Sequence, residues 1–68
     1  MRYIKVQDKV FNFEQVSEFY VQYAGVVIVS HGCATTIQYT TTTDAETAVN
    51  QIIEKLMYIS NSYAGEVK

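Results

Sequence analysis

The sequence lacks proline and tryptophan and contains a single cysteine. Because no proline-rich or glycine-rich stretch marks a linker, residues 1–68 are predicted to form a single domain. Cys33 has no second cysteine for an internal disulfide, and one cysteine with one histidine cannot complete a structural zinc site. We therefore expect no metal and no cofactor, and the lone thiol favours a reducing compartment.

Positive charge and long apolar runs are also scarce. The five Lys and Arg residues are scattered and the formal net charge is −2, so the basic patch of a nucleic-acid-binding protein is missing. The longest apolar run covers residues 24–29, whereas a helix that crosses a bilayer needs about 20 apolar residues. The N-terminal residues also show no hydrophobic region of the kind found in signal peptides. The sequence predicts no nucleic-acid partner, no membrane association and a cytoplasmic location.

Two residues of nucleophile or metal-ligand type, His31 and Cys33, flank Gly32 and permit a catalytic interpretation. A hairpin would bring both near one rim of a sheet. No carboxylate close in the sequence could orient the imidazole, however. The favoured interpretation is that His31 occupies a turn and Cys33 is a small strand residue.

Paired carboxylates and glycine-rich phosphate-binding loops are two further sequence features that would indicate catalysis. The pairs Glu14 with Glu18 and Asp44 with Glu46 could support acid–base chemistry, but a solvated turn and a helix start explain them. The three isolated glycines match no phosphate-binding motif. The sequence therefore predicts no catalytic residue, and we expect that the protein is not an enzyme.

A long segment without formal charge is the most unusual feature. No Asp, Glu, Lys or Arg lies between Glu18 and Asp44, and the stretch ATTIQYTTTT within it is β-prone with no charge to block aggregation. A domain of this size buries only about 60% of the surface of its unfolded chain, so a second subunit would help to stabilise it. The open edge is expected either to be covered within the fold or to pair with another chain.

Turn signals and alternation predict strands at about 2–6, 10–13, 18–23, 26–30 and 33–40. Two-residue turns are predicted at 8–9, 24–25 and 31–32, and the link at 14–17 is expected to contain a bulge or a helical turn. Opposed residues share a face, which predicts a core face with Ile4, Val6, Phe11, Phe13, Phe19, Val21, Tyr23, Val26, Ile28, Ile37 and Tyr39. The other face of the central strands is mostly polar with an apolar centre.

After residue 43 the period of the pattern changes from two to 3.6. Thr43 and Glu46 match a capping box, and apolar residues follow at helical spacing: Ala45, Ala48, Val49, Ile52, Ile53, Leu56, Met57, Ser60 and Tyr63. Gly65 is the expected stop. We therefore predict an α+β fold, an antiparallel meander of four or five short strands with one amphipathic helix at about 44–63 on one face.

Six tyrosines in a chain of 68 residues raise the possibility of an interface. On the outer face of the predicted sheet, an aromatic and aliphatic patch with a polar rim is typical of protein contacts. Its members are Tyr20, Gln22, Val27, Val29, Thr36 and Gln38. The alternative is that this face is half-apolar in a small protein without any partner.

The opening YIKVQDKVFNFEQVSEFYV, the later VVIV strand and the helix start DAET resemble a loose group of small bacterial and phage proteins. In that group an I-K-V-x-x-K-V-x-N hairpin opens a short meander before a single C-terminal helix, and the sheet resembles a truncated pleckstrin-homology-like sheet. The resemblance covers most of the chain. It rests on turn and core patterns and carries no functional residue over.

The leading functional hypothesis is a non-enzymatic protein-interaction module that self-associates through its sheet as a homodimer or higher homo-oligomer. The alternative, raised by the resemblance to phage proteins, is a phage or mobile-element inhibitor of host defence. Such an inhibitor would bind a host protein through the sheet rim or an acidic helix face with Glu46 and Glu54, or would sequester a small nucleotide.

Overall fold

Two three-stranded sheets and one helix form the described part of the molecule. The computed structural model describes residues 2–58 and 62–68. In chain order the elements are β1 (Arg2–Val6), β2 (Lys9–Asn12), β3 (Val16–Gln22), β4 (Gly25–Ser30), β5 (Cys33–Gln38), α1 (Thr42–Tyr58) and β6 (Ser62–Val67). The strand orders are β2-β1-β6 and β3-β4-β5. The predicted α+β class is confirmed, although the meander is divided between two sheets and a sixth strand is present.

The helix is shorter than the predicted 44–63. It ends at Tyr58, and residues 62–67 form β6; the predicted helix position Ser60 lies outside the described residues. β6 pairs in parallel with β1, with Val67 opposite Val6, and Val67 is fully buried in the core. Parallel pairing joins segments that are far apart in the sequence, so no tight-turn motif in the sequence indicates it.

The hairpin between β4 and β5 follows its predicted register. Ser30 pairs with Cys33 and Val26 pairs with Ile37. The two loop residues His31 and Gly32 both have positive φ, 55° and 78°, which is the backbone requirement of a type I′ turn.

The other two predicted turns lie one residue earlier than expected. The loops are 7–8 and 23–24, where Gln7 and Tyr23 have positive φ of 55° and 57°. Gly25 is instead the first residue of β4, where an added Cβ would lie 3.1 Å from Thr36 Cγ2. When a loop lies one residue earlier, the cross-strand partner of each strand residue changes by two positions. Because side chains alternate between the two faces of a strand, every strand residue keeps its predicted face. Only Tyr23 is lost from the predicted core face, since it lies in the loop and is 86% exposed.

The link between β2 and β3 contains the predicted bulge. The register shifts between Val16 and Glu18, which leaves Ser17 unpaired in the ladder. The Asn12 side-chain oxygen accepts a hydrogen bond from the Glu14 amide at 3.1 Å, and the Asn12 carbonyl accepts one from Gln15 at 3.0 Å. These bonds fold the link back so that β3 begins beside β4.

The hydrophobic core lies between α1 and the inner faces of the strands. Its fully or largely buried members are Ile4, Val6, Phe13, Val26, Ile28, Ile37, Ala45, Ala48, Ile52 and Val67. Phe13 makes edge-to-face contacts with Phe11 and Phe19, at centroid distances of 6.1 and 5.6 Å. Two helix residues predicted to face the core, Ile53 and Met57, are exposed instead.

The helix is capped by Thr41, two residues before the predicted cap at Thr43. Thr41 Oγ1 accepts a hydrogen bond from the Asp44 amide at 3.1 Å, and its carbonyl accepts one from Ala45 at 3.2 Å. Asp44 in the first turn also interacts favourably with the positive end of the helix dipole. The run of four threonines offers several N-cap residues of equal quality, so the sequence alone does not select among them.

Candidate functional site

The outer face of the β3-β4-β5 sheet is a grid of three rows. The middle row consists of Tyr20, Val27 and Thr36, which lie opposite one another across the three strands. The flanking rows are Glu18, Val29 and Ala34 on one side and Gln22, Gly25 and Gln38 on the other. All six predicted interface residues therefore lie on this one face, and Glu18 at one corner is its only charged residue.

These residues differ in how much they offer to a partner. Val27 in the centre is only 4% exposed, whereas the neighbouring Tyr20 is 40% exposed. Val29 is half-buried, and Gln22, Thr36 and Gln38 are exposed. Val27 is thus covered by its own neighbours, and Tyr20 supplies the accessible aromatic surface.

One long edge of this sheet, along β5, has backbone groups without a strand partner. In a two-residue hairpin, hydrogen-bonded and non-hydrogen-bonded pairs alternate from the loop outward. Since Ser30 and Cys33 flank the loop, this alternation directs the N–H and C=O groups of Ala34, Thr36 and Gln38 away from β4. The Gln38 carbonyl accordingly accepts a hydrogen bond from Gln7 Nε2 at 3.1 Å on that outer side.

The charges of the edge strands distinguish β5 from the others. Lys9 lies in β2, Glu18 in β3 and Glu66 in β6, whereas β5 has no charged residue. Native proteins usually block open edges with charge, proline or a covering element. Within the described residues, β5 pairs only with β4.

The loop end of the β4–β5 hairpin is fixed by side-chain hydrogen bonds to the bulged link. His31 Nε2 lies 2.6 Å from Gln15 Oε1, and the Ser30 hydroxyl donates to the Gln15 carbonyl at 3.2 Å. The Ser17 hydroxyl donates to the Val29 carbonyl at 3.3 Å. His31 is therefore a turn residue held by an amide, and Cys33 is an exposed free thiol at the start of β5.

Tyr39, directly after β5, supplies the most unusual buried polar group. Its hydroxyl is buried and makes no hydrogen bond within the described part of the chain. Burial raises the pKa of Tyr39 above its ordinary value of 10.0, and the nearby Gln7 side chain offsets part of the rise. Gln7 Nε2 also donates to the Gln38 carbonyl at 3.1 Å, which holds the Gln7 side chain at this end of β5.

The exposed surface of α1 carries a second stripe of interest. Glu46, Asn50, Ile53 and Met57 follow one another at helical spacing, and all four are exposed. Ile53 is 42% exposed and Met57 is 70% exposed. Glu54 lies beside them and is also exposed. One side of the helix therefore carries the apolar residues Ile53 and Met57 together with the acidic residues Glu46 and Glu54.

Other kinds of site are absent from the described residues. Residues 2–58 and 62–68 contain no group of three His, Cys, Asp or Glu side chains that could hold a metal ion, and they enclose no pocket. No helix in this part of the chain is both long and apolar enough to span a membrane.

Comparisons of the chain with protein-family models, with curated proteins and with solved structures find no match. The resemblance to small bacterial and phage proteins therefore stays a prediction.

The predicted interface residues omit Ala34, and the predicted core face of the helix includes the exposed residues Ile53 and Met57. Ala34 lies on the outer face that alternation predicts for it and at the open edge, but its small side chain gave no aromatic or aliphatic signal for an interface. The exposure of Ile53 and Met57 had a signal, because the apolar residues of α1 span about 180° of the helix at 100° per residue. That arc is wider than one packing face, and Ile53 and Met57 lie at its margin.

Proposed function

We propose that this protein is a small non-enzymatic interaction module that self-associates, as a dimer, through the β3-β4-β5 sheet. The observation that carries the proposal is the uncharged strand β5, which leaves the edge of a half-apolar sheet open. The surface combines an accessible aromatic side chain, Tyr20 on β3, with the polar residues Gln22, Thr36 and Gln38. Exposed tyrosine with a polar rim is characteristic of protein interfaces.

The small core supports the same proposal. Ten of the described residues form the buried cluster, and a domain of this length has little net stability after chain entropy is counted. Burying part of the outer face or the β5 edge against a second copy adds apolar contact and hydrogen bonds. The exposed thiol of Cys33 fits a reducing, cytoplasmic compartment.

Sedimentation velocity and multi-angle light scattering over a concentration series test self-association directly. The expected result is a mass that rises from monomer to dimer with concentration, together with thermal stability that rises over the same range. A strict monomer at high micromolar concentration contradicts the proposal.

The exposed stripe on α1 favours a second candidate function, an inhibitor that binds a larger protein. Ile53 and Met57 supply apolar contacts and Glu46 and Glu54 supply negative charge, a combination suited to a basic, grooved partner. A lysate pull-down with the native protein and with Met57→Lys side by side tests this function. A stoichiometric partner lost in the variant supports it, and the absence of any stoichiometric partner contradicts it.

A further inference from the structure

We propose that β5 pairs antiparallel with β5 of a second copy about a two-fold axis at Thr36. The inference rests on the proposed self-association and adds the strand, its direction and its register. Thr36 then lies opposite Thr36 of the second copy, and Ala34 lies opposite the second copy's Gln38. The two three-stranded sheets become one six-stranded sheet.

Charge selects β5 among the edge strands. In a two-fold antiparallel pairing the residues at the axis face their own copies, and like charges opposite each other destabilise a sheet. A charged residue in an edge strand therefore disfavours the registers that place it at the axis, as Lys9 does in β2, Glu18 in β3 and Glu66 in β6. Pairing of β5 with itself brings no charges together.

The backbone of β5 is complementary to itself in this register. Ala34, Thr36 and Gln38 are the residues whose N–H and C=O groups point outward, and all three fall at hydrogen-bonded positions of the pairing. The register contains three such residue pairs, and each pair forms two hydrogen bonds, which gives about six intermolecular hydrogen bonds. The Gln38 carbonyl, which already accepts from Gln7 Nε2, keeps a second lone pair for the new partner. The central Thr–Thr contact is a favourable cross-strand pair.

The size of the outer face argues for edge pairing rather than face-to-face stacking. Nine residues at strand spacings of about 4.8 Å and same-face spacings of about 6.8 Å cover roughly 300 Å². A stable interface buries about 800 Å² per partner, so the grid alone is too small. Edge pairing gains backbone hydrogen bonds, which do not depend on the area of the grid, and it joins the two grids into a continuous surface.

The edge is also ordered before a second copy arrives. The loop end is held by the contacts of His31 and Ser30 with Gln15. At the other end the Tyr39 amide donates to the Ala24 carbonyl at 2.8 Å, which continues the β4–β5 pairing past Gln38. Binding by a strand that is fixed at both ends has a small entropic cost.

Three variants of the full chain separate edge pairing from other modes in sedimentation experiments. Thr36→Lys places two like charges at the two-fold axis, and we expect it to raise the dimer dissociation constant at least about tenfold. Val10→Lys makes the same change in charge at an exposed position of β2, and Tyr20→Glu changes the far strand of the same face. Val10→Lys is expected to keep the dimer, and Tyr20→Glu, which leaves the β5 edge unchanged, is expected to weaken the dimer less than Thr36→Lys does. Circular dichroism verifies folding, and Ala34→Lys replaces Thr36→Lys if the latter does not fold.

The register is tested by nitroxide labels and dipolar electron paramagnetic resonance. Cys33 is exposed and is the single cysteine of the chain, so it can be labelled without substitution. In the proposed register Cys33 lies opposite the second copy's Tyr39, which separates the two Cys33 positions by about 21 Å. A label at Thr36→Cys in a Cys33→Ser chain is expected at the two-fold axis, with Cα atoms about 5.5 Å apart.

The outcomes distinguish this inference from the proposal on which it rests. A chain that stays monomeric at every concentration overturns both. A dimer that survives Thr36→Lys and is lost in Tyr20→Glu overturns edge pairing and supports self-association through the face. Label distances that place the two Thr36 positions farther apart than the two Cys33 positions overturn the register.

Discussion

Adjacent isoleucines in α1 provide a stringent test of the packing. Ile52 is fully buried in the core, whereas the next residue, Ile53, is 42% exposed. The sequence pattern assigned both to the core face, and only the structure separates them. Ile52→Ala and Ile53→Ala make the same chemical change one residue apart on one helix, so each variant is the matched control for the other.

The expected losses differ severalfold. Truncating a fully buried isoleucine to alanine removes its transfer free energy and leaves a cavity, which costs about 2–5 kcal/mol. A domain of this length has a free energy of unfolding of roughly 3–10 kcal/mol, so Ile52→Ala removes a large part of it. Ile53 loses less buried area, and alanine is the better helix former by a few tenths of a kcal/mol. We expect Ile53→Ala to cost under about 1 kcal/mol.

Urea denaturation followed by far-UV circular dichroism measures both free energies of unfolding. All proteins are compared at one concentration, because self-association would add a concentration-dependent contribution. The m-values should agree among the native chain and the two variants. Equal losses, or a larger loss for Ile53→Ala, would refute the placement of α1 on the sheets.

The remaining predictions concern the helix cap and the buried hydroxyl. Thr41→Ala should lower the free energy of unfolding by about 1 kcal/mol through loss of the N-cap hydrogen bond, and Thr43→Ala should change it by a few tenths at most; the reverse order in urea denaturation would place the cap at Thr43. Tyr39→Phe removes a buried hydroxyl that has no hydrogen bond within the described residues, so stability at neutral pH should be unchanged or higher. Because burial raises the pKa of folded Tyr39 above that of the unfolded chain, the unfolded state loses its proton first as the pH rises through about 10, and the native protein loses stability there. Thermal melts between neutral pH and about pH 11 should show a smaller alkaline loss for Tyr39→Phe, and identical losses in the two proteins would contradict the assignment.

Local chemistry made part of this fold predictable from sequence. His-Gly supplies two residues that tolerate positive φ, and the β4–β5 register followed from it. Ala24-Gly25 has equally good turn chemistry, but the loop is Tyr23-Ala24, in which Tyr23 adopts positive φ, and Gly25 is the first residue of β4. The predicted faces stay correct despite this error, because it changes the pairing partner of each residue by two positions and side chains alternate with a period of two. Strand β6 depends on long-range pairing with β1, for which the sequence contains no local signal.

For the candidate surface, the sequence predicts which residues share a face but not which strand forms an open edge. Face assignments follow from alternation, so Tyr20, Thr36 and Gln38 were placed together correctly. Edges do not follow from alternation, since they depend on which strands close the sheet. As the last strand of the predicted meander, β5 was expected at an edge that is either covered or paired. In the structure β1 pairs with β6 and not with β5, and a pattern of apolar residues does not encode that choice of partner.

The lack of charge between Glu18 and Asp44 has different physical causes in β4 and β5. Strand β4 lies between two neighbours, and residues 25–28 of it are buried on both faces, so an unpaired charge there would cost several kcal/mol. The outward residues of β5 are under no such constraint, because Ala34, Thr36 and Gln38 are exposed. Burial therefore explains neutrality in β4 and leaves it unexplained in β5. The proposed pairing of the β5 edge would explain it, since a charge at Thr36 would then face its own copy across the two-fold axis.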